Sequence, residues 1–363
     1  TIAFIFPFNS QKVFITDLSQ SKYYFPEETQ IAAEFLQGAL LAANALKEEG
    51  LDAKILVYDS GSDSSTIKTV LRNPDLKNAA LIFAPFDNYQ LKMVSNFAER
   101  EHVPVVSPLS VSFSNADSNH YLILANASLK THCEQLYDYM LTRALAHRTL
   151  MVYRKNQQDE EIANYFKKFA AQKTGEGSYA LKFIEITDSS KTTYSNLRDS
   201  LFQTDVNQIL IPSIDEPFVR TMLKELYNLR DDYKFRVYGL PTWNSFDLIP
   251  DEQFDSLNVV ITASFWLNKT SQAATDFKTK YSAEYGVNPS EYSVRGYDEG
   301  FYFFSQLMEH EDLCSALPSE KPTSLLATSY NFSSEETDKP FRFLENRSIF
   351  LLGRSDGKWI PIR

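Results

Sequence analysis

Short apolar runs without the polar alternation of a half-exposed strand recur along this chain, and longer amphipathic segments separate them. In order they are IAFIFPF (2–8), KILVY (54–58), ALIFAPF (80–86), VPVVS (103–107), YLILA (121–125), TLMVY (149–153), ALKFIEI (180–186), QILIP (208–212), FRVYG (235–239) and VVITAS (259–264). A strand apolar along its length is buried on both faces, and parallel neighbours need a long, usually helical, connection. The pattern therefore predicts an α/β fold with mainly parallel sheets flanked by helices. At 363 residues the chain exceeds the size at which one core stops growing, roughly 250 to 300, so two lobes are expected.

The intervening segments carry helix signals. Pro26, Glu27 and Glu28 suit a first turn, Ile31, Phe35 and Ala39 share a face, and Gly50 suits the stop. Ser128 is placed to cap a helix with Cys133, Leu136 and Met140 inward, while Glu216 and Pro217 open one lined by Val219, Leu223 and Leu226. Tyr297, Phe301, Phe304 and Met308 form a stripe that reads as core. Residues 312–340, rich in Ser, Thr, Pro and acids, read as irregular, and SIFLLGRSDGKWIPIR reads as a closing hairpin that turns at Asp356–Gly357.

Charge and motifs exclude several classes of function. A formal charge of -11 repels phosphate backbones and anionic membrane surfaces, so no nucleic-acid partner is expected. No apolar run approaches the roughly 20 residues of a transmembrane helix. Neither G-x-G-x-x-G nor G-x-x-x-x-G-K-[ST] occurs, which removes the usual phosphate cradles. His102, His120, His132, His147 and His310 include no i, i+4 pair for a metal, and no G-x-S-x-G elbow is present. Asp159–Glu160–Glu161 and Glu335–Glu336 read as solvated surface. Cys133 and Cys314 fall on helices of different lobes and are expected to be free, buried thiols. No enzyme activity, metal or cofactor is expected.

Read in order, IAFIFPF, AAEFLQGALLAANAL, KILVYDSGSD, LIFAPFDN and HVPVVSPLS resemble the first third of the type I periplasmic binding proteins, of the branched-chain amino acid ABC transporter substrate-binding kind. Gly38, Asp59, Ala84–Pro85 and Val103–Pro104 through Ser107–Pro108 stand where that family shows a helix glycine, a strand-ending Asp, a Gly-Pro-like turn and a V-P-x-I-S-P strand. RTLMVYRKN, VNQILIPSID and SEYSVRGYDEGFYFF, with Gly296, Tyr297 and Asp298, extend the likeness over nearly the whole chain. The resemblance implies two Rossmann-like lobes joined by a three-strand hinge. Lobe one is expected over 1–124 plus about 266–335, and lobe two over 125–265 plus about 336–363.

Ligands of open α/β sheets bind beyond the carboxyl ends of the strands, which nominates the turns that follow them. Those of lobe one offer Phe8, Asn9, Phe86, Asp87, Asn88, Leu109 and Ser110. Those of lobe two offer Arg154, Asn156, Asp215, Thr242 and Trp243, beside Ser213 and Asn244. The family's amino-acid binders hold a carboxylate with hydroxyls and backbone amides on the lobe-one turns. Here Asn88 replaces a Ser, Val111 falls where a Thr is expected, and Asp87 brings a like charge, so an α-amino acid ligand is not expected. The segment after β-run one places Phe14, Tyr23 and Tyr24 as a lid or partner surface.

The resemblance implies a non-enzymatic protein of the periplasm or cell envelope. It would capture a small-molecule ligand by hinge closure for uptake or sensing, with an ABC permease or another envelope protein as partner. The alternative is an envelope interaction module that has lost small-molecule transport, as in some lipoprotein regulators of wall synthesis. The chain opens at Thr1 without Met or a basic-then-apolar leader, as expected of a mature or truncated chain whose targeting segment is missing, which says nothing against export.

Overall fold

The apolar runs fold as the strands they predict. In the computed structural model, which describes residues 1–11, 26–110, 119–142, 149–174, 181–186, 197–334 and 343–362, the first third alternates β1 (Ile2–Phe6), β2 (Ile55–Asp59), β3 (Leu81–Phe83), β4 (Val105–Ser107) and β5 (Leu122–Leu124) with α1 (Glu27–Lys47), α2 (Ser64–Val70) and α3 (Asn88–Glu101). The middle contains α4 (Leu129–Thr142), β6 (Thr149–Arg154), α5 (Gln157–Thr174), β7 (Lys182–Ile186), β8 (Val206–Leu210), α6 (Glu216–Asn228), β9 (Lys234–Tyr238), α7 (Asp251–Ser256) and β10 (Val260–Ala263). Next come α8 (Gln272–Tyr285), α9 (Glu291–Glu309), α10 (Leu313–Ala316) and the short strands β11 (Thr323–Ser324), β12 (Ser329–Tyr330), β13 (Phe332–Ser334) and β14 (Leu344–Asn346). The chain ends on β15 (Phe350–Ser355) and β16 (Lys358–Pro361). Part of the stretch expected to be irregular is thus built of short strands.

Two compact units result, Thr1–Ala127 with Phe265–Ser348 and Ser128–Ser264 with Ile349–Arg363, so the chain passes from one to the other three times. The first has the sheet order β13-β14-β5-β4-β3-β1-β2, the second β16-β15-β10-β9-β8-β6-β7. In each, the first five strands run parallel in the order 2-1-3-4-5, and the last strands of the chain add antiparallel pairs at the far edge. The sequence reading assigns residues from about 336 to lobe two, whereas β14 pairs parallel with β5, Leu344 beside Ile123, in the first sheet. The closing hairpin turns at Asp356 and Gly357, both with positive φ, as a two-residue turn between twisted strands requires. The edge strands β2 and β7 are not buried on both faces: Val57 and Phe183 are about half exposed.

The core of the first unit is aromatic. Phe4 stacks on Phe83 with ring centroids 4.6 Å apart, Phe35 meets Phe6 edge-on at 5.5 Å, and Phe303 and Phe304 meet Phe83 edge-on at 6.0 and 6.2 Å. These arrangements suit the ring quadrupoles. They bring β1, β3, α1 and α9 onto one centre. In the stripe predicted on α9, Phe304 is buried, Tyr297 and Phe301 are half-buried, and Met308 is exposed, because the inward face runs through Val294, Tyr302 and Phe303.

Helices α1 and α9 approach until their backbones touch. A Cβ on Gly38 would lie 1.9 Å from the Ser293 carbonyl oxygen, and one on Gly296 would lie 2.0 Å from that of Phe35. Gly300 is looser, with Ala39 Cα 3.0 Å from the same construction. Beside this contact α9 buries two acids. Asp298 accepts from the backbone N–H groups of Leu326 (3.1 Å) and Ala327 (2.8 Å), and burial nevertheless raises its pKa to about 6. Glu299 is buried, and desolvation holds its carboxyl well above the ordinary range despite the nearby Arg295.

The two cysteines are free and buried, Cys133 in the second unit and Cys314 in the first, and burial pushes both thiols up, that of Cys314 to about 12. Ser128 accepts from Thr131 N (3.2 Å) at the start of α4, whose Cys133, Leu136 and Met140 are buried. His102 is exposed at the end of α3, as expected of a solvated loop, and His147 lies outside the described residues.

Alanine normally favours a helix over glycine by about 1 kcal/mol. At the α1–α9 contact the sign reverses: Gly38→Ala and Gly296→Ala are expected to cost about 3 kcal/mol or more by overpacking, and Gly300→Ala under about 1 kcal/mol, as read by urea unfolding. An equal tolerance of all three would remove the close contact. A second expectation concerns Glu299. A carboxyl whose pKa is raised on folding binds its proton more tightly in the native state, so stability falls as pH climbs above the usual carboxyl range. The slope approaches about 1.4 kcal/mol per pH unit for one proton. In Glu299→Gln that part of the decline is lost, and a pH series of denaturation midpoints identical to the parent's would refute the assignment.

Candidate functional site

The strand order 2-1-3-4-5 reverses direction beside the first strand, and crevices of doubly wound sheets open at that reversal, beyond the carboxyl ends. In the first unit it lies between β1 and β3, in the second between β6 and β8. Of the nominated residues, Phe8, Asn9, Phe86, Asp87 and Asn88 follow β1 and β3, and Arg154, Asn156 and Asp215 follow β6 and β8. Leu109 and Ser110 follow β4, and Thr242 and Trp243 follow β9.

In the first unit the turn after β1 is held from three sides. Asn9 adopts φ 48 and is buried; its Nδ2 donates to the Pro7 carbonyl (3.1 Å), Glu28 Oε1 (2.8 Å) and Thr29 Oγ1 (3.1 Å), which ties the end of β1 to the start of α1. Asp59, at the end of β2, accepts from the backbone of Asn9 (3.0 Å), Ser10 (2.8 Å) and Gly61 (2.9 Å) and from Ser10 Oγ (2.7 Å). Partial burial opposes the Asp59 charge, but these donors outweigh it and lower the pKa.

Asp87 caps α3. Its Oδ1 accepts from Tyr89 N (3.1 Å) and Gln90 N (2.9 Å) while the side chain stays exposed. The amino end of a helix is otherwise a ready anion site, with free N–H groups and the positive end of the dipole. Here the protein's own carboxylate occupies it. Ser110 Oγ donates to Asn88 Oδ1 (3.1 Å), joining the turns after β3 and β4, and Asn126 reaches the Leu109 carbonyl (3.4 Å). The half-buried rings of Phe8 and Phe86 flank Phe6 at 6.1 and 4.8 Å, so the aromatic core continues to the rim of the turns.

In the second unit Arg154 gathers the turns. Its Nε donates to Asp159 Oδ2 (2.9 Å), Nη1 to Asp215 Oδ1 (3.1 Å), and its guanidinium lies 4.7 Å from the Phe218 ring centroid. Burial works against the Arg154 charge; the bonds to Asp159 and Asp215 more than offset it and raise the pKa. Asp159 also accepts from Ser213 Oγ (2.9 Å), Asn156 Oδ1 caps α5 by accepting from Asp159 N (2.9 Å), and Asp215 caps α6 through Phe218 N (2.9 Å). Trp243 is buried and donates its indole N–H to the Ser213 carbonyl (2.9 Å). Its ring lies flat over Gly239, where a Cβ would fall 2.3 Å from a ring carbon. Thr242 and Asn244 are exposed beside it.

One placement differs from the sequence reading. Asp159 is fully buried as the main partner of Arg154, not solvated surface, while Glu161 is exposed. Asn156 three residues before an acid is a capping spacing that marks it. Asp59 and Glu28, read from sequence as a strand-ending Asp and a first-turn acid, join Thr29 in fixing the β1 turn, a long-range role that no local spacing marks. Val111, Phe14, Tyr23 and Tyr24 lie outside the described residues.

A family model described as periplasmic binding protein matches residues 28–312. No curated protein matches the sequence. Among solved structures, a putative branched-chain amino acid ABC transporter protein from Rhodospirillum rubrum superposes with a TM-score of 0.70 at 15% identity over 99% of both chains. An ABC transporter substrate-binding protein from Desulfitobacterium hafniense, in complex with Leu, gives 0.61 at 14% identity, again over 99% of both. Full-length LpoA from Haemophilus influenzae gives 0.64 at 12% identity, covering 100% of this chain and 58% of that one. At these identities the structures speak to the fold. With the family model spanning most of the sequence and both sheets in the expected order, the chain belongs to the periplasmic binding protein family, in the type I fold of the branched-chain amino acid substrate-binding proteins.

Proposed function

We propose that this protein is an exported binding protein of the cell envelope that captures a small molecule between the ligand-side turns of its two units. It closes on the ligand by movement about its three chain crossings and passes it to an ABC permease or reports it as a sensor. The observation that carries this reading is the paired construction of those turns. Each unit presents, at the reversal of its sheet, polar groups already fixed by hydrogen bonds, the form that binds with little ordering cost. No bond is made or broken in such a cycle.

The same hydrogen bonds narrow the ligand. Asp59, Asp87, Asp159 and Asp215 take up the amide and guanidinium donors that a free carboxylate would need. The ligand is therefore not a simple α-amino acid held by its carboxylate. The same feature favours a second reading, an envelope interaction module whose turns contact a protein or wall component in place of a small molecule.

Thermal-shift and calorimetric screens over amino acids, peptides, nucleosides and sugars test the first reading. A true ligand at a hundredfold its Kd stabilises by about 2.7 kcal/mol, and small-angle scattering should show compaction on adding it. Complete silence across these classes, with a specific partner captured from envelope extract, would favour the second. Arg154→Met should weaken binding of the identified ligand at least about tenfold, because it leaves Asp159 buried and unpaired. Asp87→Asn should leave α3 capped and improve retention of carboxylate ligands; a wild-type amino-acid preference in that variant would discard the self-capping argument.

A further inference from the structure

The α9 stripe that reads as core in the sequence leaves part of its aromatic surface uncovered. Within the first unit, α1, α8, α9 and the 325–326 segment line a half-open cavity of about 350 Å³ with Leu41, Phe277, Tyr297, Phe301 and Leu326 among its walls. The hollow exists because Ala45 on α1 and Ala273 on α8, both at its edge, are too small to fill the space between the helices. The walls are firmly set. Tyr297 packs on Phe277 at 5.0 Å, and the 325–327 segment is pinned by Asp298 and by the bond from Trp266 N to the Ala327 carbonyl (2.9 Å).

The polar groups around it are unequal. Asp298 has its carboxylate on the Leu326 and Ala327 amides, and Asp276 takes Gln272 Nε2 (2.7 Å). Lys280, exposed at the rim, and the Tyr297 hydroxyl make no hydrogen bond or ion pair with a described residue. Burial first, then Asp298 and Glu49, raise the Tyr297 phenol, so it remains a donor. The cavity thus pairs an apolar body with two unused donors, one of them a cation.

We propose that this cavity is a second binding site, distinct from the ligand-side turns, for an amphipathic monocarboxylate: the apolar chain or ring enters among Leu41, Phe277 and Phe301, and the carboxylate meets Lys280 and Tyr297. The volume is about twice the 150 Å³ that admits benzene, enough for a chain of about ten carbons. The site is preformed and its size is that of small-molecule pockets.

Isothermal titration of the full chain with decanoate, decanol and decylammonium, all below their aggregation concentrations, tests this. Decanoate is expected to bind with one site and more tightly than either of the others. Lys280→Gln should weaken it about tenfold, the worth of one charge-assisted bond. Ala273→Phe, at an exposed position on α8 and so compatible with folding, should block the mouth and abolish binding, while circular dichroism stays that of the parent. Equal or tighter binding of decylammonium, decanoate binding unchanged in both variants, or no binding of decanoate would each overturn the proposal. Loss of response at the ligand-side turns would leave these results untouched.

Discussion

The contact between α1 and α9 is the constraint on which the first unit rests. Two helices from opposite ends of the sequence meet backbone to backbone through Gly38 and Gly296, and this brings Phe35, Phe303 and Phe304 within ring contact of Phe83. Glycine at both positions sets the separation; any side chain there would push the helices apart and open the aromatic centre. From that centre Phe6 carries the packing out to Phe8 and Phe86, so the turns after β1 and β3 are positioned by the core and not by the loops alone.

Carboxylates of the chain accept the amide donors in three of these turns: Asp59, at the end of β2, takes those of the β1 turn, Asp87 those of α3 and Asp215 that of α6, while the Asn156 amide caps α5. In the second unit Arg154 draws Asp159 and Asp215 together, and Trp243 is locked to the same loop through Ser213. Groups so committed are rigid and already desolvated in part. The same bonds that order these turns thus also take up their amide and guanidinium donors.

Much of the fold was legible in the sequence because burial on both faces leaves an unmistakable apolar run, and all ten runs are strands. The edge strands were over-read, since an apolar run does not reveal which strands have a neighbour on each side; Val57 and Phe183 show the difference. The position of β14 escaped for a related reason: three residues, Leu344–Asn346, carry too little pattern to say which sheet they join. At the site, the rule that ligands sit beyond strand ends nominated turns in which Arg154 and Asp215 meet. What it could not give was commitment. Whether Asp87 faces a ligand or caps its own helix, or whether Asp159 is surface or the buried partner of Arg154, depends on bonds to residues distant in sequence or on local backbone conformation.

Neither unit is continuous in the chain, and this bears on how the protein is made. When α1 leaves the ribosome, its close contact with α9 through Gly38 cannot form, because Gly296 is more than two hundred residues from being synthesised. At about 5–20 residues per second that interval is on the order of ten to fifty seconds. The nascent first unit therefore cannot finish its core during translation, and β5 keeps an open edge until Leu344 arrives. The surface of α1 that packs on α9 therefore stays uncovered until the last third of the chain is delivered.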